Sequence, residues 1–152
     1  MDGVQAANSG HPGTPMALAP VTYVLWNEFL RFDPVQPKLP NRDRFVLSCG
    51  HASMLLYSTL HLAGVTQSSP DDGAATRPAI SLDDIRNFRQ LDSPCAGHPE
   101  HGEVSGIEMT TGPLGQGVAT SVGMAIAGSW FAARYDRSDQ ALFGFDTYVI
   151  CS

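Results

Sequence analysis

Three of the five histidines in the sequence share one local setting, in which the imidazole directly follows a glycine. His11 stands in SGHPG, His51 in CGHAS and His98 in AGHPE. Glycine lets a ligand or a second backbone segment approach closely, and the prolines after His11 and His98 restrict the departing chain. An imidazole held in this way suits a site that needs a preorganised proton donor or acceptor near neutral pH.

Loop histidines also have an ordinary structural interpretation, because most of them are solvated or hydrogen-bonded to their own surroundings. We keep that interpretation for His61 and His101, which lack a preceding glycine. The repetition of the Gly-His step favours a functional role for the other three.

Two glycine-containing turns could supply backbone donors. CGHAS follows a short apolar run and precedes a helical pattern, and free N–H groups at such a junction favour an anion; His51 and Ser53 could add side-chain donors. TTGPLGQG (110–117) matches neither GxxxxGK[ST] nor GxGxxG. It is either a tightly packed helix entry or a surface that recognises a flat cofactor, because Gly112 has no side chain to exclude one.

The elements that position these residues predict an α/β fold. RFVLS (44–48) is a buried strand, and MLLYSTLHLAG (54–64) is a helix that ends near Gly64. We predict a further helix from Pro15 to Phe32 whose buried face carries Leu18, Val21, Leu25 and Phe29. The other predicted elements are the end of a helix over 1–8, loops over 33–44, 66–80 and 92–106, a helix over 81–91, and a strand over 147–152.

The stretch after Thr110 predicts a long helix that starts at the glycine-rich turn. Each glycine inside a helix costs about 1 kcal/mol relative to alanine. Several glycines on this helix therefore imply that another backbone approaches closely, and we expect the helix to be buried.

Composition excludes several classes of protein. A net charge of −6 argues against a nucleic-acid binder, and 43% hydrophobic with 16% charged residues argues against a disordered chain. The three cysteines are widely spaced and read as free thiols in a reducing cytosol. No apolar run reaches membrane-spanning length, and the first residues lack a signal-peptide pattern. We expect a soluble, cytoplasmic protein with neither a nucleic-acid nor a membrane partner.

Four motifs in order carry a family resemblance: NSGHPGTPM, NRDRFVLSCGHAS, FRQLDSPCAGHPE and IEMTTGPLGQG. Together they resemble the N-terminal, thiamine diphosphate-binding segment of the transketolases across nearly the whole chain. The resemblance implies an incomplete diphosphate-binding domain with a parallel sheet flanked by helices. Residues 1–152 would form one partial domain, truncated at both ends. It implies a transferase that moves a two-carbon ketol unit from a ketose phosphate to an aldose phosphate, in the pentose phosphate pathway or the reductive pentose cycle.

The same resemblance assigns roles to individual residues. His11 and His98 would be catalytic and would bind substrate, with His11 assisting proton transfer and His98 recognising the C1 hydroxyl of the donor. His51 would lie beside the cofactor, near its diphosphate and reactive carbon. The thiamine would contact Gly112, Pro113 and Leu114, and a sugar phosphate would contact Arg89.

The resemblance also implies features of a full-length enzyme. It would be a homodimer with the cofactor at the subunit interface, and it would hold Mg²⁺ or Ca²⁺ with ligands beyond Ser152. No metal ligand is assigned within the 152 residues, and we expect the isolated chain to be inactive. A dihydroxyacetone synthase-type ketol transferase, one subunit of a split enzyme and a non-catalytic remnant remain as alternatives.

Overall fold

The computed structural model describes residues 1–68 and 75–151, in which helices alternate with short strands and confirm the predicted α/β class. The helices are α1 (Asp2–Ala7), α2 (Gly13–Val24), α3 (Ser53–Leu62), α4 (Leu82–Arg86) and α5 (Gln116–Tyr135). The strands are β1 (Arg44–Leu47), β2 (Thr66–Ser68), β3 (Ala75–Pro78) and β4 (Thr147–Ile150). Within the described residues, no helix combines the length and apolar character needed to cross a bilayer.

A parallel pair of strands organises the fold. β1 pairs with β4 in parallel, with Arg44 opposite Thr147 and Leu47 opposite Ile150. Parallel neighbours need a long crossover connection, and here α3, α4 and α5 lie in the chain between the two strands. α5 packs against both strands, while α3 packs against α2 and α4 and is mostly buried in the hydrophobic core that β1 also enters.

Asp43 connects the beginnings of the two parallel strands. Its side chain is 0% exposed and accepts hydrogen bonds from Arg31 Nη2 at 2.9 Å and from the backbone N–H of Asp146 at 2.8 Å. A buried carboxylate is costly unless it is paired and hydrogen-bonded. These bonds satisfy Asp43 and at the same time fix where β4 begins beside β1.

The position and the buried face of α2 differ from the prediction. The helix begins at Gly13 rather than Pro15, and Thr22, Trp26 and Leu30 are buried. Val21 and Phe29, expected in the core, are 54% and 59% exposed. The segment is apolar nearly all round, so no polar face marks its orientation. A π-helical turn over Leu25–Phe29 also widens the residue spacing at its end.

Two other predictions need correction downstream. The expected loop over 66–80 contains the antiparallel strands β2 and β3, although its residues 69–74 lie outside the described part of the chain. The helix predicted over 81–91 ends at Arg86, and Leu91 is 92% exposed. The start of this helix is a capping box, because the Ser81 hydroxyl accepts from the Asp84 N–H and the Asp84 carboxylate accepts from the Ser81 N–H.

We predicted that α5 is buried, but the structure buries it along one side only. Only Gly117, Ser121 and Gly128 are buried along its length. The predicted close approach is confirmed at Gly117, where a Cβ would lie 2.6 Å from Ser48 Cα. The remaining faces carry exposed apolar side chains. The glycines therefore indicated one side of close packing, but the helix as a whole is not buried.

Candidate functional site

The fold brings His11 and His51 together from distant parts of the chain. His11 precedes α2, and His51 lies in the short 3₁₀ turn between β1 and α3. Their ring centroids are 5.0 Å apart and the rings are inclined at 72°. His98 lies in the loop before α5, and the guanidinium of Arg89 contacts both Ser9, two residues before His11, and Gly97, next to His98. The three Gly-His segments therefore converge.

The environment of His51 favours its neutral imidazole. Burial lowers the pKa of His51 from the ordinary value of 6.5, and the neighbouring charges of His11 and then His98 lower that pKa further. Neutral imidazole has one donor and one acceptor nitrogen, so His51 can hydrogen-bond a ligand in both senses near pH 7.

A pH titration tests this environment. We expect the ring resonances of His51 to titrate below pH 6.5, and His11→Asn to raise the pKa of His51 because it removes one neighbouring charge. Since the native state binds this proton less readily than the unfolded state, the contribution of His51 to stability is lost as the pH falls through the window below 6.5. NMR of ring-labelled protein measures both pKa values, and an unchanged His51 pKa in His11→Asn would contradict the proximity.

Hydroxyl groups on α3 hold the loop that carries His98. Ser53 Oγ donates to the Gly97 carbonyl at 3.0 Å, and Tyr57 Oη donates to the Ala96 carbonyl at 3.0 Å. Burial raises the pKa of the Tyr57 phenol, so the donor keeps its proton across the physiological pH range. The backbone that leads into His98 is thus fixed by a buried helix.

Thr111 joins the glycine-rich segment to the turn that carries His51. Its Oγ1 donates to the Leu47 carbonyl at 2.8 Å, and its N–H donates to the Pro99 carbonyl at 3.3 Å. Gly50 lies so close that a Cβ there would be 2.8 Å from the Thr111 carbonyl carbon. The two glycine-containing turns therefore contact each other backbone to backbone.

Gly112 borders the imidazole of His98. A Cβ on Gly112 would lie 3.6 Å from His98 Cδ2, so any side chain there would project beside that ring. Pro113 and Leu114 follow on the surface, with Leu114 68% exposed. The structure thus places the TTGPLGQG turn next to the histidines.

The beginning of α5 is anchored to the end of β1. Val118 N–H donates to Ser48 Oγ at 3.1 Å, and Gly115 precedes the helix with a φ of +84°. The positive end of the dipole of this 20-residue helix lies at this point. Such a terminus favours a negatively charged ligand group.

An ion pair that sequence reasoning missed supports the same region. Arg42 Nε and Nη2 donate to the two carboxylate oxygens of Glu108 at 2.9 and 2.8 Å. Both residues belong to motifs noted in the sequence, NRDRF and IEMTTG, but their separation along the chain hides the contact. The only local signal is a single acidic residue between Ile107 and Met109.

Arg89 and the two remaining histidines have different surroundings. Arg89 lies between the segments of His11 and His98, and its Nη1 donates to Ser9 Oγ at 2.8 Å. His61 Nδ1 lies 2.8 Å from the Ile80 carbonyl, and His101 Nδ1 lies 2.9 Å from the Ile107 carbonyl. These bonds agree with the structural interpretation of His61 and His101.

The chemistry of the site suits a flat ring carrying a diphosphate. Imidazoles and a helix N-terminus donate hydrogen bonds to anionic oxygens, and the glycine at 112 leaves space beside His98. Across residues 1–68 and 75–151, no group of three or more His, Cys, Asp or Glu side chains is placed to hold a metal ion.

Comparison with known proteins identifies relatives across the whole chain. The family model described as "Transketolase, thiamine diphosphate binding domain" matches residues 1–152. A transketolase of Halalkalibacterium halodurans is 50% identical over 151 residues, which are 99% of this chain and 21% of that protein. Transketolase 2 of Escherichia coli is 50% identical over 149 residues, 98% of this chain and 20% of that protein.

Solved structures agree with this similarity. Transketolase from Leishmania mexicana superposes with a TM-score of 0.88 at 43% identity, over 99% of this chain and 20% of that one. A Pichia stipitis transketolase in complex with sedoheptulose 7-phosphate gives a TM-score of 0.71 at 43% identity, over 97% of this chain and 20% of that one. The chain therefore spans about a fifth of the length of these relatives.

Proposed function

The chain belongs to the transketolase family of thiamine diphosphate-binding domains, and from that premise we propose that it contributes part of the active site of an enzyme that transfers a two-carbon ketol unit between sugar phosphates. The convergence of His11 and His51, with His98 within electrostatic reach, is the observation that carries the proposal. We further propose that residues 1–152 form a single partial domain. Because the relatives are about five times as long, ketol transfer would require more than these residues.

The proposed roles follow from the surroundings of each residue. Thiamine diphosphate, when bound, supplies carbanion chemistry for breaking and forming a carbon–carbon bond beside a carbonyl. Gly112, Pro113 and Leu114 would line the thiamine, and neutral His51 would hydrogen-bond near the diphosphate and the reactive carbon. Mg²⁺ or Ca²⁺ would accompany the diphosphate in the full-length enzyme.

The two exposed histidines would handle the sugar. His98 would orient the donor through its C1 hydroxyl, and His11 would contact substrate and carry a proton to or from a sugar hydroxyl. A positioned imidazole can act as a general acid or base in such a step. A sugar phosphate would contact Arg89 through guanidinium N–H groups other than the one that donates to Ser9.

A homodimer of the full-length enzyme is part of the proposal. Val122, Ile126 and Trp130 lie four residues apart on α5 and are 56%, 65% and 58% exposed. Apolar surface of this kind marks interaction sites. We propose that a second copy covers this face in the assembled enzyme, which would work on soluble sugar phosphates in the cytoplasm.

A chimera tests the proposed function. We would replace the matching residues of the Halalkalibacterium halodurans relative, which are 50% identical over 151 positions, with this chain. We expect a dimer that needs added thiamine diphosphate and transfers a ketol unit from a ketose phosphate to an aldose phosphate. The unmodified relative is the control, and a folded chimera that binds the cofactor but transfers no ketol unit would contradict the proposal.

A further inference from the structure

We propose that Arg89 is a positioning residue that fixes the segment carrying His11 against the segment carrying His98. The inference deepens the proposed function, because it rests on the three imidazoles forming one site. It assigns to Arg89 a task within the protein itself rather than contact with a sugar phosphate.

The guanidinium of Arg89 contacts both segments directly. Nη1 donates to Ser9 Oγ at 2.8 Å, two residues before His11. On its other side the guanidinium lies against Gly97, where a Cβ would be 2.8 Å from Arg89 Nε and 2.9 Å from Nη2. The two residues that the guanidinium contacts, Ser9 and Gly97, have a small hydroxyl side chain and no side chain, which leaves room for one planar group between the segments.

Phe88, the residue before Arg89, also contacts the segment that carries His11. Phe88 is buried, and its ring lies so close to Gly10 that a Cβ on Gly10 would be 2.9 Å from Phe88 Cε1. The guanidinium of Arg89 lies 5.8 Å from the centroid of the Phe88 ring. Ser9 and Gly10 are therefore both held by consecutive residues of one turn.

The backbone of Arg89 adopts a conformation that costs free energy. Its φ is +61°, in the left-handed region, which is unfavourable for a residue with a Cβ. The Arg89 N–H donates to the Cys95 carbonyl at 2.9 Å, which fixes the turn leading to His98. Residues held in such conformations cluster at functional sites, and here the conformation directs the guanidinium between the two histidine segments.

Positioning and phosphate contact make different predictions. A residue that binds the phosphate group would affect KM for phosphorylated sugars and spare an acceptor without phosphate. A residue that positions two histidines would affect kcat for both kinds of acceptor, since a displacement of about 1 Å can reduce the rate about 10²-fold.

The experiment compares Arg89→Met with Arg89→Lys and with the matched control Arg86→Met. Arg86 belongs to the same segment, but its side chain is 71% exposed and pairs only with Asp83 among the described residues. In the full chain, NMR would follow the cross-peak between the His11 and His51 rings, whose centroids are 5.0 Å apart. Because His11 belongs to one of the two segments that Arg89 contacts, this cross-peak reports whether His11 keeps its position in the site. In the chimera, kcat and KM would be measured with phosphorylated and unphosphorylated acceptors.

We expect Arg89→Met to weaken or abolish the ring cross-peak and to lower kcat about 10–100-fold for both acceptors, with KM little changed. Arg89→Lys should restore little of the cross-peak or of kcat, because an ammonium group cannot replace the planar guanidinium. Arg86→Met should change neither readout. Ser9→Ala removes one of the contacts without altering Arg89 and should weaken the cross-peak, which keeps the test valid if Arg89→Met fails to fold.

Two results would overturn the inference. One is an unchanged ring cross-peak in both folded Arg89→Met and Ser9→Ala. The other is a loss confined to KM for phosphorylated acceptors. Failure of the proposed function itself would look different, because the unsubstituted chimera would then transfer no ketol unit while the cross-peak responded to Arg89 as expected.

Discussion

Replacing Gly117 with alanine is expected to lower the free energy of unfolding by about 2–3 kcal/mol, near the upper range for overpacked sites. The new Cβ would lie 2.6 Å from Ser48 Cα and 2.7 Å from Ser48 Cβ. Backbone cannot yield as a flexible side-chain end does, so α5 must move away from β1. The movement would also break the hydrogen bond from Val118 N–H to Ser48 Oγ, now 3.1 Å long.

Gly123→Ala supplies the matched control within the same helix. No heavy atom lies within 4 Å of a Cβ built on Gly123, and its φ is helical. Because alanine favours the helix over glycine by about 0.8–1 kcal/mol, this variant should gain stability. Urea unfolding of both variants measures the difference, and equal stability of Gly117→Ala and the unsubstituted protein would refute the close packing of α5 on β1.

These two glycines also show what a sequence can reveal about a helix. The glycine content of α5 correctly predicted that another backbone comes close to it. The glycine content could not show which glycines face that backbone. A glycine in the contact and a glycine outside it are the same residue type and differ only in what lies opposite them. That partner, Ser48, is distant in the chain.

The elements around β1 were predictable because their signals are local. The apolar run, the glycine-containing turn and the helix that ends near Gly64 follow one another without a break, and the structure confirms all three. The orientation of α2 was not predictable, since a threonine rather than a valine faces the core. Apolar residues on every side of that helix leave its buried face to tertiary packing.

In the candidate site, some features were visible in the local sequence and others depend on contacts between distant residues. The Gly-His steps are visible in the sequence, and their repetition pointed to His11, His51 and His98. Their convergence depends on buried hydrogen bonds from α3 and on the bridge at Arg89, which join residues far apart in the chain. Family resemblance supplied the expectation of one site, and the geometry now supports it with specific contacts.

Replacing His98 with alanine in the chimera is expected to lower kcat for ketol transfer by about 10²-fold, because the donor would lose the side chain that orients it through its C1 hydroxyl. The loop of His98 is held by hydrogen bonds from the hydroxyls of Ser53 and Tyr57. Because these bonds go to backbone carbonyls, the substitution does not remove them. The protein should therefore stay folded. Cofactor affinity should change little, since the Gly112 turn is fixed by Thr111.

A nearby histidine makes this prediction specific. His101 lies in the same loop region, is exposed, and has a ring nitrogen 2.9 Å from the Ile107 carbonyl rather than facing the other histidines. His101→Gln should leave kcat within about threefold of the unsubstituted chimera, as surface substitutions have small effects. Steady-state kinetics and calorimetric titration of thiamine diphosphate would be measured on both variants. If His98→Ala retained full kcat, or lost activity only because it no longer bound the cofactor, the proposed role of His98 toward the sugar would be wrong.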